Sequence, residues 1–305
     1  VNEIPGLDRF MLNFSDNNLI GLQLCIAFIM FSVALSIRLE HFNLLFKKPK
    51  PVIVGLTSQL ILLPAITFLL IKLISPPVGV GMGMILVAVC PGGNVSNFYT
   101  LIARGNVALS VSLTAVISIV SIASIPFFFS LWMELTYPLD TSITLNISPS
   151  KMITHVSLIM GLPILIGLTF THKLPKLARR ISGFTKMFSF LILTVFIVVS
   201  LSRETETFIK FSAQLWPLVA FHNAVAFATG FTFAKLSKCG INDVKAICFE
   251  TGIQNATIAL ALVFTFFEGN GSMAVTTAAW GVWHLIAGAA LSALFLVKKR
   301  KTSTA

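Results

Sequence analysis

The chain is 305 residues long, 56% hydrophobic and only 11% charged, with a formal net charge of +11 and a mean hydropathy of +0.91. That composition excludes an ordinary soluble domain, because apolar runs of about 20 residues recur along it, each long enough to cross a bilayer. The runs do not alternate apolar and polar as barrel strands do, so the class expected is an all-α polytopic membrane protein.

In chain order, residues 1–17 are polar and read as an external segment holding Glu3, Asp8 and Asp16. No small-residue cleavage site follows, so the next apolar run is a membrane span rather than a removable signal peptide. The first span is expected from Asn18 to Arg38 and the second from Pro51, a residue suited to a first helical turn, to Ile74. Ser75-Pro76-Pro77 turns the chain outside; the third span covers 78–104, and the fourth runs from Asn106 to Met133, kinked at Pro126. The polar stretch 134–149 is an external connection, which makes residues 18–133 one half of the protein and 150–297 the other. The second half offers spans at 151–170, 184–202, 212–235, 243–267 and 272–297, followed by a basic tail at 298–305. Nine crossings result.

With these spans, 17 Lys and Arg residues fall on one side and 5 on the other, and eight of the eleven acids join the poorer side. Positive loops stay in the cytoplasm, so the N-terminus is expected outside and the C-terminus inside. The charge is therefore no nucleic-acid signature, since it is distributed over loops instead of one face of a folded module. Cys25, Cys90, Cys239 and Cys248 have neither zinc-ligand spacing nor a disulfide framework, and nothing calls for an obligate protein partner.

Two spans are interrupted by polar and glycine residues. The third contains Cys90-Pro91-Gly92-Gly93-Asn94-Val95-Ser96-Asn97, and the eighth contains Glu250-Thr251-Gly252-Ile253-Gln254-Asn255. Proline withholds a backbone donor, and each glycine weakens a helix by about 1 kcal/mol relative to alanine. Irregular backbone at membrane depth persists only where protein or a wet cavity surrounds it. The third span runs inward and the eighth outward, each the next-to-last of its half, and Arg104-Gly105-Asn106 and Glu268-Gly269-Asn270 lead alike into the spans that follow. Interrupted segments at matching positions of inverted halves point to the midplane site of a secondary transporter.

Glu250 is the one acid placed within the membrane. A charge at that depth costs about 2.5–3.5 kcal/mol on insertion scales and by default marks a pathway or site. Na+ is a hard cation that seeks oxygen ligands. Ser96 and Asn97 supply oxygens at the first break, Ser110 and Thr114 share a face of the fourth span through their i, i+4 spacing, and Gln59 lies near mid-depth of the second. At the second break, the carbonyls of Thr251 and Ile253 and the amide of Gln254 could join Glu250. One carboxylate could serve two ions, one oxygen towards each.

The runs at 90–97, 103–111 (Ala-Arg-Gly-Asn-Val-Ala-Leu-Ser-Val) and 250–255, with His222-Asn223 and Val282-Trp283-His284, resemble the bile acid:sodium symporter family over nearly the whole stretch from Ile29 to Leu294. The resemblance implies inverted repeats with two crossed discontinuous helices. It also implies a core domain (spans two to four and seven to nine) that moves against a panel domain (spans one, five and six). It implies two co-transported Na+ ions, the first held by Ser96, Asn97, Ser110, Thr114 and Glu250, the second by Gln59, Glu250, Thr251, Ile253 and Gln254. Asn94, Asn255, His284, His222 and Asn223 become the candidates for a small organic-anion substrate. Bacterial relatives often carry Thr at Asn94 and Asn at Leu285, so the cargo expected extends from bile acids to smaller pantoate- or pyruvate-like acids. The same resemblance suggests a bacterial inner membrane, although the chain has nine expected spans like the animal members instead of ten.

Proton coupling through Glu250 is the alternative within the transporter class. An intramembrane hydrolase would need a paired acid, a Ser–His dyad or an HExxH zinc motif, and Glu250 stands alone. A non-transporting receptor or scaffold is the remaining alternative.

Overall fold

The computed structural model describes residues 16–35, 37, 46–137, 154, 157–201, 205–267 and 269–302. The external segment at 1–17, the end of the first span near Arg38, the 134–149 connection, Arg203-Glu204, Glu268 and the tail lie wholly or partly outside the described residues. Among the described residues twelve α-helices follow in order: α1 Asp16–Ala34, α2 Pro49–Thr57, α3 Leu63–Ile74, α4 Val78–Val89, α5 Asn94–Ile102, α6 Val107–Thr136, α7 Leu162–Lys173, α8 Pro175–Leu201, α9 Thr205–Leu236, α10 Ile241–Gly252, α11 Ala256–Phe266 and α12 Gly271–Thr302. Pro49–Ile74, Val107–Thr136, Ala213–Leu236 and Gly271–Val297 are long and apolar enough to cross a membrane, and Gln23–Ala34, Val78–Val89 and Ala256–Phe266 are shorter apolar helices. The protein is a helical membrane protein, and an isolated antiparallel bridge joins Gly92 to Gln254.

Among the described residues two π-helical turns interrupt the α-helices. A π-helical turn, Ser58–Leu62, joins α2 to α3, and a second, Ser157–Gly161, precedes α7. Each is followed by Leu-Pro, at Leu63-Pro64 and Leu162-Pro163. Proline has no N–H for the carbonyl four residues back, and the widened turn re-pairs the backbone, with the Leu63 N–H reaching the Ser58 carbonyl. The second span is thus a bulged helix and not a uniform one. α8 also begins at Pro175 instead of near 184, because Lys176-Leu177-Ala178-Arg179-Arg180 is helical yet too charged for an apolar-run criterion.

Both expected breaks are present. α4 stops at Val89 with Cys90 extended, and α5 starts after an extended Gly93. α10 stops at Gly252 with Ile253 extended, and α11 starts at Ala256. The two unwound segments cross and satisfy each other: the Asn255 N–H donates to the Pro91 carbonyl at 2.8 Å and the Gly93 N–H to the Ile253 carbonyl at 3.4 Å. This pairing is the accounting that buried irregular backbone requires. Similar caps start the helices that follow. Asn106 Oδ1 accepts the Leu109 N–H and Asn270 Oδ1 accepts the Met273 N–H, each at 3.1 Å.

The half-helix α4 sits deepest, whereas α5 exposes Phe98 and Leu101. Every residue of α4 from Gly79 to Val89 is buried. Gly79 and Gly83, one turn apart, lie against Ser272 and Thr276 of α12, where a Cβ would come within 2.5 and 3.0 Å of those side chains. Such small-residue seams let membrane helices approach closely. Around the crossing, α2 to α6 and α9 to α12 pack together, whereas α1, α7 and α8 pack on one another and reach the rest mainly through α11 and α6.

Candidate cation and substrate site

Glu250 closes the last turn of α10 and is fully buried. Its Oε2 receives Ser96 Oγ of α5 at 2.6 Å and Ser110 Oγ of α6 at 3.4 Å. Thr114 Oγ1, one turn beyond Ser110, lies 2.8 Å from Oε1 and 3.0 Å from Oε2. The same hydroxyl is 3.0 Å from the Ser110 carbonyl and 3.3 Å from Asn97 Oδ1. A hydroxyl has one proton to donate, so Thr114 faces more acceptors than it can serve. Ser96 is in the same position, with its Oγ also 2.7 Å from the Gly93 carbonyl. Three helices thus bring a carboxylate, three hydroxyls and an amide oxygen together with a surplus of lone pairs. Among the described residues no three His, Cys, Asp or Glu side chains converge, so the donor set is one of hard oxygens.

The second group lies on the other side of the crossing and is balanced. Gln59 Nε2 donates to Gln254 Oε1 at 2.7 Å and to the Cys90 carbonyl at 2.9 Å. Gln254 Nε2 returns a bond to Gln59 Oε1 at 3.2 Å and donates to the Thr251 carbonyl at 2.7 Å. Each amide nitrogen has two protons and two acceptors. Ser58 Oγ and Thr251 Oγ1 meet at 2.9 Å beside them, and the Ile253 carbonyl accepts the Gly93 N–H. Gln59 reaches this position from the π-turn, a distortion frequent at functional sites. The hydrogen bonds of the Glu250 carboxylate all run to the first group; it makes none to the second.

The substrate candidates do not form one cluster of contacts. Asn255 is the N-cap of α11, its Oδ1 accepting the Ile258 N–H at 3.1 Å, and it is half-buried. His222 is buried, pairs through Nε2 with Thr67 Oγ1 at 2.7 Å and packs edge-on against Trp280. Asn223 donates to the Gly252 carbonyl at 2.7 Å and so holds the end of α10. His284 Nδ1 is 2.9 Å from the Trp280 carbonyl of its own helix. The backbone of Asn94 opens α5; its side chain is outside the described residues.

Several residues position the site in ways the sequence reading did not assign. Gly92 is one: a Cβ there would lie 2.3 Å from Glu250 Oε1, so the carboxylate occupies the space a side chain would need. Asn106 Nδ2 donates to Asp243 Oδ1 at 2.6 Å and the Asn106 N–H to the Asn242 carbonyl at 2.9 Å, locking the start of α6 to the start of α10. Lys245 is buried and donates to the Ala103 carbonyl at the C-terminal end of α5, at 2.7 Å, with the Phe295 ring 5.4 Å away. A cation there complements the negative end of the half-helix. Tyr99 pins α5 to α12 by donating to the Leu285 carbonyl at 2.6 Å.

The Sodium Bile acid symporter family model matches residues 23–211. The chain belongs to that family. A Bacillus subtilis protein described as the uncharacterized sodium-dependent transporter YocS is 28% identical over 273 residues, covering 90% of this chain and 82% of that protein. The probable chloroplast sodium/metabolite cotransporter BASS2 of Oryza sativa subsp. japonica is 29% identical over 267 residues, 88% of this chain and 62% of that one. The mouse P3 protein is 27% identical over 273 residues, and the chain spans 55% of its length. Family membership and the helical spans make the protein an integral membrane transporter and not an enzyme, with sodium as coupling ion and a small molecule as cargo.

Proposed function

We propose that the protein carries a small organic anion across the membrane together with Na+ by alternating access, and that the oxygens around Glu250 are its first sodium site. The observation that carries this reading is the excess of acceptors over protons at Ser96 and Thr114 beside a fully buried carboxylate. A compact cation relieves that crowding, and its charge offsets a carboxylate that burial otherwise penalises. Ser96, Asn97, Ser110, Thr114 and Glu250 are the ligands proposed there, and Gln59, Thr251, Ile253 and Gln254 those of a second ion after their amide pair opens, with Glu250 turning one oxygen towards it.

The anion is assigned to the crossing. α5 and α11 both begin there, and helix N-termini favour negative charge. Asn255 uses its oxygen as a cap and keeps its NH2 for a carboxylate; Asn94, His222, Asn223 and His284 complete the candidate set, the buried ones acting once the core opens. The cargo proposed is a bile acid or a smaller pantoate- or pyruvate-like acid. Nine crossings with the N-terminus outside follow from the charge bias, in a bacterial inner membrane. The group formed by α1, α7 and α8 is proposed as the panel against which the remaining helices move.

The test is thermal unfolding of the purified protein in NaCl against KCl, repeated with pantoate, pyruvate and a bile acid, and followed by proteoliposome uptake of whichever anion stabilises. Stabilisation by Na+ but not K+, and uptake that collapses without a sodium gradient, are expected. Uptake driven by a pH gradient in sodium-free buffer would instead assign Glu250 to proton coupling.

A further inference from the structure

α7 and α8 meet at a tight corner in which only Leu174 separates Lys173 from Pro175. The first three turns of α8 bury one side: Ala178 and Thr185 are buried, and Thr185 accepts a hydrogen bond from Ser32 of α1 at 3.2 Å. The opposite side is exposed among the described residues and ordered by charge. Lys173, Lys176, Arg179 and Arg180 are all exposed, and among the described residues none of them forms an ion pair with a carboxylate. Below Arg180, at successive i+4, i+7 and i+11 positions, stand Phe184, Met187 and Leu191, exposed by 63%, 66% and 55%. Between the cations and this apolar strip lies Gly183, where a Cβ would find nothing within 4 Å. Along one helix face the order is therefore cationic head, open gap, apolar stripe.

We infer that this face of α8 is a binding site for one anionic phospholipid. Its phosphate would sit at Lys176, Arg179 and Arg180, its glycerol over Gly183, and an acyl chain along Phe184, Met187 and Leu191. Charge complementarity separates this face from several other exposed apolar surfaces of the protein. Leu73, Phe98 and Phe127, for example, are exposed without such a row of cations on the same stripe. Each Lys or Arg near an anionic membrane surface contributes about 1 kcal/mol of attraction. An amphipathic helix with cations at one end and large apolar side chains below them couples that attraction to burial of acyl surface. The inference does not rest on the transport reading, since it needs neither sodium nor a substrate.

The experiment titrates phosphatidylglycerol, and separately phosphatidylcholine, into the detergent-solubilised full chain and follows its melting temperature. Saturable stabilisation by phosphatidylglycerol alone is expected. In K176Q/R179Q/R180Q the apparent lipid affinity should fall on the order of a hundredfold, three cations at the stated contribution each, while the lipid-free melting temperature stays put because these side chains have no ion-pair partners among the described residues. Gly183→Leu fills the gap from a position where a Cβ meets nothing within 4 Å and should weaken binding with all charges intact. Equal stabilisation by the two lipids, or an unchanged lipid response in both variants, would overturn the assignment. So would glycerol phosphate acting as well as the lipid, since the apolar stripe would then have no role.

Discussion

The two oxygen groups that flank the helix crossing are built from similar residue types, yet one is hydrogen-bond-starved and the other complete. Around Glu250, two hydroxyls with one proton each face a carboxylate, two backbone carbonyls and an amide oxygen. Around Gln59 and Gln254, four amide protons meet four acceptors. A buried group left without its partner costs about 1–3 kcal/mol, whereas a satisfied one gains little from a new ligand. The difference teaches that proximity of oxygens does not by itself make a cation site; their unmet demand does. The first group should therefore bind Na+ unaided, and the second only as its amide pair yields.

The largest effect is expected at Glu250. Glu250→Gln keeps the shape and the hydroxyl contacts but removes the charge, so sodium-dependent stabilisation should vanish. At a hundredfold excess over Kd the wild type should gain about 2.7 kcal/mol per ion. The sodium-free variant should melt no lower than the wild type, since a buried charge has gone. Melting curves in NaCl and KCl read both quantities, and a sodium response surviving in the variant would break the comparison. Gly92→Ala comes next. Its Cβ would push against Oε1 and the carboxyl carbon of Glu250, so the fold should lose about 1–3 kcal/mol, as overpacked sites do. Sodium affinity should drop at least tenfold although every ligand is retained, and isothermal titration with Na+ checks the split.

How much of this was legible in the sequence depends on whether the signal is local. Pro91-Gly92-Gly93 and Gly252 are helix breakers inside apolar runs, so both interruptions could be read in advance, and the breaks fall where expected. Ser110 and Thr114 share a face by spacing alone, and Glu250 stood out by its cost. The start of α8 was misread because Lys176, Arg179 and Arg180 resemble a loop to any criterion based on apolar runs, although they are good helix formers. The π-turn at Ser58–Leu62 left only the trace of Leu63-Pro64. The reciprocal bonding of Gln59 and Gln254, 195 positions apart, leaves no local trace, since which partner a buried amide takes is a tertiary matter. Asn223 illustrates the same limit: the family resemblance makes it a substrate candidate, but its amide donates to the Gly252 carbonyl.

The smallest effect separates the two groups most cleanly. Gln59→Leu removes half of the amide pair, leaving Gln254 Nε2 on the Thr251 carbonyl and Gln254 Oε1 without its donor. The Cys90 carbonyl also loses its Gln59 donor and one Gln254 N–H its acceptor, so the fold loses about 1–3 kcal/mol for each of these unmet groups, while none of the hydroxyls around Glu250 is touched. Sodium stabilisation should persist with nearly the wild-type midpoint, while its steepness falls from a two-ion to a one-ion dependence. A binding isotherm fitted over a wide NaCl range reads that slope. If the midpoint moved as far as it does for Gly92→Ala, the two groups would be acting as one site. The contrast between a starved and a satisfied cluster would then have no functional meaning. A slope that falls at constant midpoint would show instead that Gln59 and Gln254 hold the second ion and that their mutual hydrogen bonds set its weaker affinity.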